Sequence, residues 1–170
     1  MLFIGNSYTF YNKLPRMVGE LAKAAGERPL VYEEETPGGW SFKKHWESGK
    51  AVEKIREKKW DVVILQNHSL GALQARKDMF FYGRKLKEAI DKQGAKTLLY
   101  MTWARQNKPE TQKEIASAYV QLGKELGAEV APVGLAWQKV LQTKDKIALH
   151  IQDKSHPTKA GSYLAACVIY

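Results

Sequence analysis

Two apolar runs, Asp61-Val62-Val63-Ile64-Leu65 and Thr97-Leu98-Leu99-Tyr100-Met101, constrain this chain more than any other feature. Each has strand length and is apolar on both faces. The stretch between them, Ala75 to Gln93, keeps helical character up to Gly94. A strand apolar on both faces has to be covered on both, and parallel neighbours need helical crossovers. The rest of the chain repeats this alternation. Leu2 to Ile4 leads toward a helix with Leu14, Met17, Val18, Leu21, Ala22 and Ala25 at helical spacing and a stop at Gly26. Leu30 to Glu35, with Glu33, Glu34 and Glu35, suits an edge strand, and Phe42 to Lys58 reads as a helix turning Trp46, Val52 and Ile55 inward. Pro109 opens a helix carrying Ile115, Tyr119, Leu122 and Leu126, with Gly127 as its stop. A short strand near Val130 to Val133, a helix around Leu135 to Leu141 and a last helix after Pro157 complete the series. The expectation is a three-layer α/β/α fold with a flavodoxin-like, mainly parallel, five-stranded sheet.

At 170 residues and 44% hydrophobic content, residues 1–170 read as a single domain with a sizeable core. Met1 leads straight into the first strand and Tyr170 falls inside an apparent helix, so truncation at one or both ends stays open. The net charge of +9 invites a nucleic-acid reading. However, Lys85, Lys87, Lys92, Lys113 and Lys124 are spread over solvent positions of helices, without an aromatic-interleaved basic stripe, so no nucleic-acid partner is expected. No apolar run approaches the roughly 18 residues of a membrane span. No signal peptide is visible; the compartment stays open between the cytoplasm and export with a leader removed. The single cysteine, Cys167, rules out an intrachain disulfide and reads as a core residue of its apolar helix. His45 and His150 lack partner ligands at metal-binding spacing, so no metal is expected. Oligomeric state is left open.

In such a sheet, ligands gather beyond the carboxyl ends of the strands. Four polar elements fall there: Ser7 after the first strand, Gly38-Gly39-Trp40-Ser41 after the second, Gln66-Asn67-His68-Ser69 after the third and Thr102-Trp103-Ala104-Arg105 after the fourth. The loop Asp153-Lys154-Ser155-His156, ahead of the last helix, can fold over the same edge. A serine hydroxyl is a weak nucleophile until a base takes its proton, and a histidine held by a carboxylate is the common base. Ser7 and His156 have these residue types, and Asp153 can reach back to the imidazole across its own short loop.

Four blocks together resemble the SGNH hydrolases, the GDSL-type esterase and lipase superfamily. Gly5-Asn6-Ser7 is similar to the nucleophile block, Gly39-Trp40-Ser41 to the glycine block, Asn67 in Leu65-Gln66-Asn67-His68 to the asparagine block, and Asp153-Lys154-Ser155-His156 to the D-x-x-H block. Their order spans nearly the whole chain. The resemblance implies catalysis by Ser7, His156 and Asp153, with an oxyanion hole from the Ser7 and Gly39 backbone N–H groups and the Asn67 side chain. Two departures stand out: the usual G-D-S is G-N-S here, and Leu65 replaces the glycine that normally opens the asparagine block. Gly38 therefore remains an alternative to Gly39, and Gln66 to Asn67.

The resemblance implies a serine esterase that removes short acyl groups, such as acetyl, from a small-molecule or carbohydrate ester without any metal or organic cofactor. Trp40, Gln66, Trp103 and Arg105 are the candidate substrate-pocket residues, and His68 reads as a loop-filling histidine. The rival reading is a catalytically degenerate member of the fold that binds a glycan or anion.

Overall fold

The computed structural model describes residues 1–144 and 147–170. Strand β1 (Leu2–Ile4) runs into a one-turn helix α1 (Ser7–Phe10) and then α2 (Leu14–Ala24). Next come β2 (Glu33–Glu35), α3 (Phe42–Ser48), α4 (Lys50–Glu57), β3 (Val62–Leu65), α5 (Gly71–Gln74) and α6 (Arg76–Asp91). The chain continues through β4 (Lys96–Tyr100), α7 (Gln112–Leu126), β5 (Glu129–Ala131), α8 (Val133–Leu141) and α9 (Lys159–Ile169). All five strands are parallel, in the order β2-β1-β3-β4-β5, with Phe3 opposite Ile64 and Ile4 opposite Leu65. The chain leaves β1 toward β2 on one side and later returns to β3 on the other. The carboxyl end of β1 is thus the switch point of the sheet, where a crevice opens.

The two-residue period of the strands divides the apolar side chains between two cores. Leu2, Ile4, Val63, Leu65 and Leu99 face Phe42, Ile55, Leu86 and Leu122 of α3, α4, α6 and α7. Phe3, Ile64, Tyr100 and Ala131 face Leu14, Val18, Trp137 and Ala165 of α2, α8 and α9. The central strand residues Phe3, Ile4, Ile64 and Leu65 are fully buried, each worth about 1.5–3 kcal/mol of transfer free energy. This double cover makes the sheet a stiff platform for the loops beyond it.

Several boundaries differ from the sequence reading. Phe42 to Lys58 is not one helix: Gly49, at φ +78°, ends α3 and starts α4. A left-handed residue there costs glycine little and any other residue more. Only Glu33–Glu35 of the expected second strand pairs with β1. That edge is charged, and Glu33 bridges to Lys54 of α4 and to Lys58 just past its end, one way an exposed edge is kept from pairing. Val133 opens α8 rather than closing β5. Cys167 is exposed on α9, because the buried face of that helix is Gly161, Ser162, Ala165, Ala166 and Ile169. Among the described residues, no helix is long and apolar enough to cross a membrane.

Candidate active site

Ser7 is the first residue of α1, directly beyond the end of β1. Asn6 sets its position from both sides. The Asn6 Oδ1 accepts the Tyr8 N–H at 3.1 Å, while its Nδ2 donates to the carbonyls of Trp40 at 2.8 Å and Asn67 at 3.4 Å. A carboxylate could not donate to those two carbonyls, which gives a physical reason for asparagine at this position. The Asn6 N–H and Thr9 hydroxyl both donate to Gln66 Oε1 at 2.9 Å. On the other side of the turn, His45 Nε2–H donates to the Gly5 carbonyl at 2.7 Å. Burial pushes the His45 imidazole down to about 4, so it stays neutral and keeps this bond.

The second half of the site is the loop ahead of α9. Asp153 Oδ1 accepts the N–H groups of Ser155 and His156, each at 2.9 Å, with Lys154 at φ +62° making the reversal. Asp153 Oδ2 then meets His156 Nδ1 at 2.5 Å. Partial burial opposes ionisation of Asp153. The hydrogen bond from the His156 ring and the two backbone donors outweigh it and hold the carboxyl at about 2. An ionised Asp153 accepts the Nδ1 proton, which leaves His156 Nε2 as the acceptor facing Ser7. The Ser7 Oγ stands 2.8 Å from that nitrogen. The three side chains form a continuous hydrogen-bonded line able to draw the proton from the serine hydroxyl.

The two halves are also tied together outside that line. Ser155 Oγ lies 2.7 Å from the Tyr8 hydroxyl, and the Ser155 carbonyl accepts the Trp103 indole N–H at 2.9 Å. The Tyr11 ring stacks on His156 at 4.6 Å and 18°, and Tyr8 meets the same imidazole edge-on at 5.6 Å. Tyr8 and Tyr11 escaped the sequence reading, although their positions one and four residues after Ser7 place them within a helical turn of it.

A cleft of about 370 Å³ opens over Ser7 and His156, lined also by Tyr11, Gly38, Gly39, His68 and Arg105. Gly39, at φ +71°, sits third in a turn closed from the Trp40 N–H to the Pro37 carbonyl, the position where glycine is favoured. Asn67 is buried beside it. The Asn67 Oδ1 accepts the Phe42 N–H at 2.9 Å, which fixes the amide so that Nδ2 is its donor end, packed against Gly71. His68 lines the cleft while its Nδ1 accepts the Leu70 N–H at 3.3 Å, so it both fills the loop and faces the opening.

Of the four pocket candidates, only Arg105 lines this cleft. Gln66 is fully buried, its Oε1 taken by Asn6 and Thr9 and its Nε2 by the Asn67 carbonyl, so its amide braces the Ser7 turn instead of facing the cleft. The same engagement removes Gln66 as a substitute for Asn67. Trp40 packs its ring against His45 at 5.2 Å. Trp103 is the middle of a buried stack, 4.3 Å from Tyr8 and 3.8 Å from Trp137. Among the described residues, no group of three or more His, Cys, Asp or Glu side chains is clustered closely enough to hold a metal ion.

The chain thus combines an all-parallel sheet, covered by helices on both faces, with a serine at its switch point hydrogen-bonded to a histidine, a three-layer α/β/α arrangement. No family model matches the chain, and no curated protein does. Solved structures do. A protein from Slackia heliotrinireducens, described as a candidate SGNH hydrolase, is 25% identical with a TM-score of 0.84, over 99% of this chain and 95% of its own. A DUF4886 family protein from Bacteroides uniformis is 19% identical with a TM-score of 0.83, over 99% and 80%. The acetyl xylan esterase Axe2 from Geobacillus stearothermophilus is 18% identical with a TM-score of 0.72, over 99% and 91%. The chain therefore has the fold of the SGNH hydrolases.

Proposed function

We propose that the protein is a serine esterase that removes short acyl groups, acetyl foremost, from a small-molecule or carbohydrate ester. The observation that carries this reading is the unbroken line from Ser7 Oγ to His156 Nε2 at 2.8 Å and from His156 Nδ1 to Asp153 at 2.5 Å. The cleft of about 370 Å³ suits a short acyl group and one modest alcohol portion. The likeness to Axe2, named for acetyl xylan, supports acetyl as the acyl group.

In this mechanism, Ser7 Oγ attacks the ester carbonyl carbon as its proton passes to His156 Nε2. The carbonyl oxygen becomes an oxyanion, received by the N–H groups of Ser7 and Gly39 and by Asn67 Nδ2. The Asn6 side chain caps Tyr8 and its carbonyl takes the Thr9 and Phe10 N–H groups, which keeps the Ser7 N–H for this role. Each such preorganised donor is worth about 3–4 kcal/mol of barrier. Collapse breaks the bond to the alcohol oxygen, which takes the proton back from His156 and leaves an acyl group on Ser7. Water, deprotonated by His156, attacks the acyl carbon; the second collapse returns the proton to Ser7 Oγ and frees the acid. Asp153 holds the imidazole in the required tautomer and balances its charge in both halves.

The test is turnover of para-nitrophenyl acetate and acetylated sugars by the wild type and by Ser7→Ala. The reading predicts activity that Ser7→Ala abolishes with little change in thermal unfolding. A wild type inert to every short acyl ester would instead favour the degenerate binding module.

A further inference from the structure

Arg105, in the segment that follows β4, lines both the Ser7 cleft and a second cavity of about 250 Å³ walled by Trp103, Trp137, Gln138 and His150. Among the described residues lining the cleft, it alone carries a permanent charge. Three of the five other arginines are engaged, Arg16 with Glu20, Arg84 with Glu125 and Arg76 with Gln121, and the remaining two, Arg28 and Arg56, are exposed and line neither cavity. Among the described residues, no carboxylate forms an ion pair with Arg105, and its Nε–H is buried without a hydrogen-bond partner. The Trp137 indole N–H, on the wall of the second cavity, is likewise buried and unpartnered. The Arg105 charge reaches the opening. After burial, it is the next cause holding the His68 imidazole below its ordinary value. Leaving a buried charged donor unmatched is costly, and a guanidinium fork is matched best by a carboxylate.

We propose that Arg105 is the specificity-determining residue of the cleft and receives a carboxylate carried on the alcohol portion of the ester. The assignment rests on the esterase reading of the same site. An acetyl group is neutral, so the carboxylate belongs to the alcohol side, and the second cavity, which Arg105 also lines, offers that portion space. The natural substrate class is then an acetylated hydroxy acid.

The test compares meta-acetoxybenzoate with its neutral methyl ester, each corrected for spontaneous hydrolysis. The wild type is expected to favour the anion in kcat/KM, with Arg105→Gln lowering that preference by at least about tenfold and Arg105→Lys restoring part of it. A preference unchanged by Arg105→Gln overturns the proposal while leaving the esterase reading intact. Binding is measured separately by calorimetry on Ser7→Ala, whose affinity for meta-acetoxybenzoate is expected to fall at least about tenfold on adding Arg105→Gln. Arg105-dependent binding without wild-type turnover keeps the carboxylate site and removes the esterase; equal binding by both variants overturns the carboxylate site.

Discussion

Replacing His45 isolates one pH-dependent contribution to stability. His45 is fully buried, donates from Nε2 to the Gly5 carbonyl at 2.7 Å and titrates at about 4 against an ordinary 6.5. Between those values the unfolded chain takes a proton that the folded chain refuses. Stability therefore falls as pH drops below about 6.5, and the loss stops near pH 4. Linkage over the full window gives about 3 kcal/mol, and between pH 7 and pH 5 about 2 kcal/mol. Urea unfolding of the wild type and of His45→Gln at pH 7 and pH 5 measures it. Glutamine can still donate to Gly5 but cannot titrate. The wild type is expected to lose about 2 kcal/mol more than the variant over that interval. His68 and His150, also held below their ordinary values by burial, titrate in both proteins and cancel. Equal losses in the two proteins would refute the claim that His45 is a neutral anchor of the Ser7 turn.

Other substitutions probe the site itself. Asp153→Asn removes the acceptor that fixes the His156 tautomer, so kcat is expected to fall by about 10³–10⁴ in steady-state assays while the fold survives. Gly71→Ala places a Cβ 2.3 Å from Asn67 Nδ2. If Asn67 is an oxyanion donor, its displacement lowers kcat by about 10²–10³ with a smaller effect on KM, read from the same assays beside a thermal melt.

Much of the fold was legible because its signals are local. Val62–Leu65 and Lys96–Tyr100 show as apolar runs, and Gly127 marks the end of α7 with a left-handed residue. The break at Gly49 was hidden because Phe42 to Glu57 keeps helical spacing on both sides of a glycine whose conformation only the packed structure fixes. Cys167 was misread for a similar reason: the sequence of α9 is apolar all round, so its buried face depends on where α2 and α8 pack. Within the site, Ser7, Asp153 and His156 were visible as chemistry-bearing residues in G-N-S and D-x-x-H. What brings them together is distributed over Asn6, Gln66, His45 and Ser155, whose contacts span 34 to 147 residues of sequence. Gln66 and Trp103 looked available to substrate from sequence because nothing local reveals that Thr9 and Tyr8 already occupy them.

The most direct test of the central claim is the site of covalent labelling by a fluorophosphonate, mapped by peptide mass spectrometry. The account predicts one adduct per chain, on Ser7, formed far more slowly in His156→Ala. Labelling elsewhere, or a Ser7→Ala protein that labels as fast as the wild type, would contradict it.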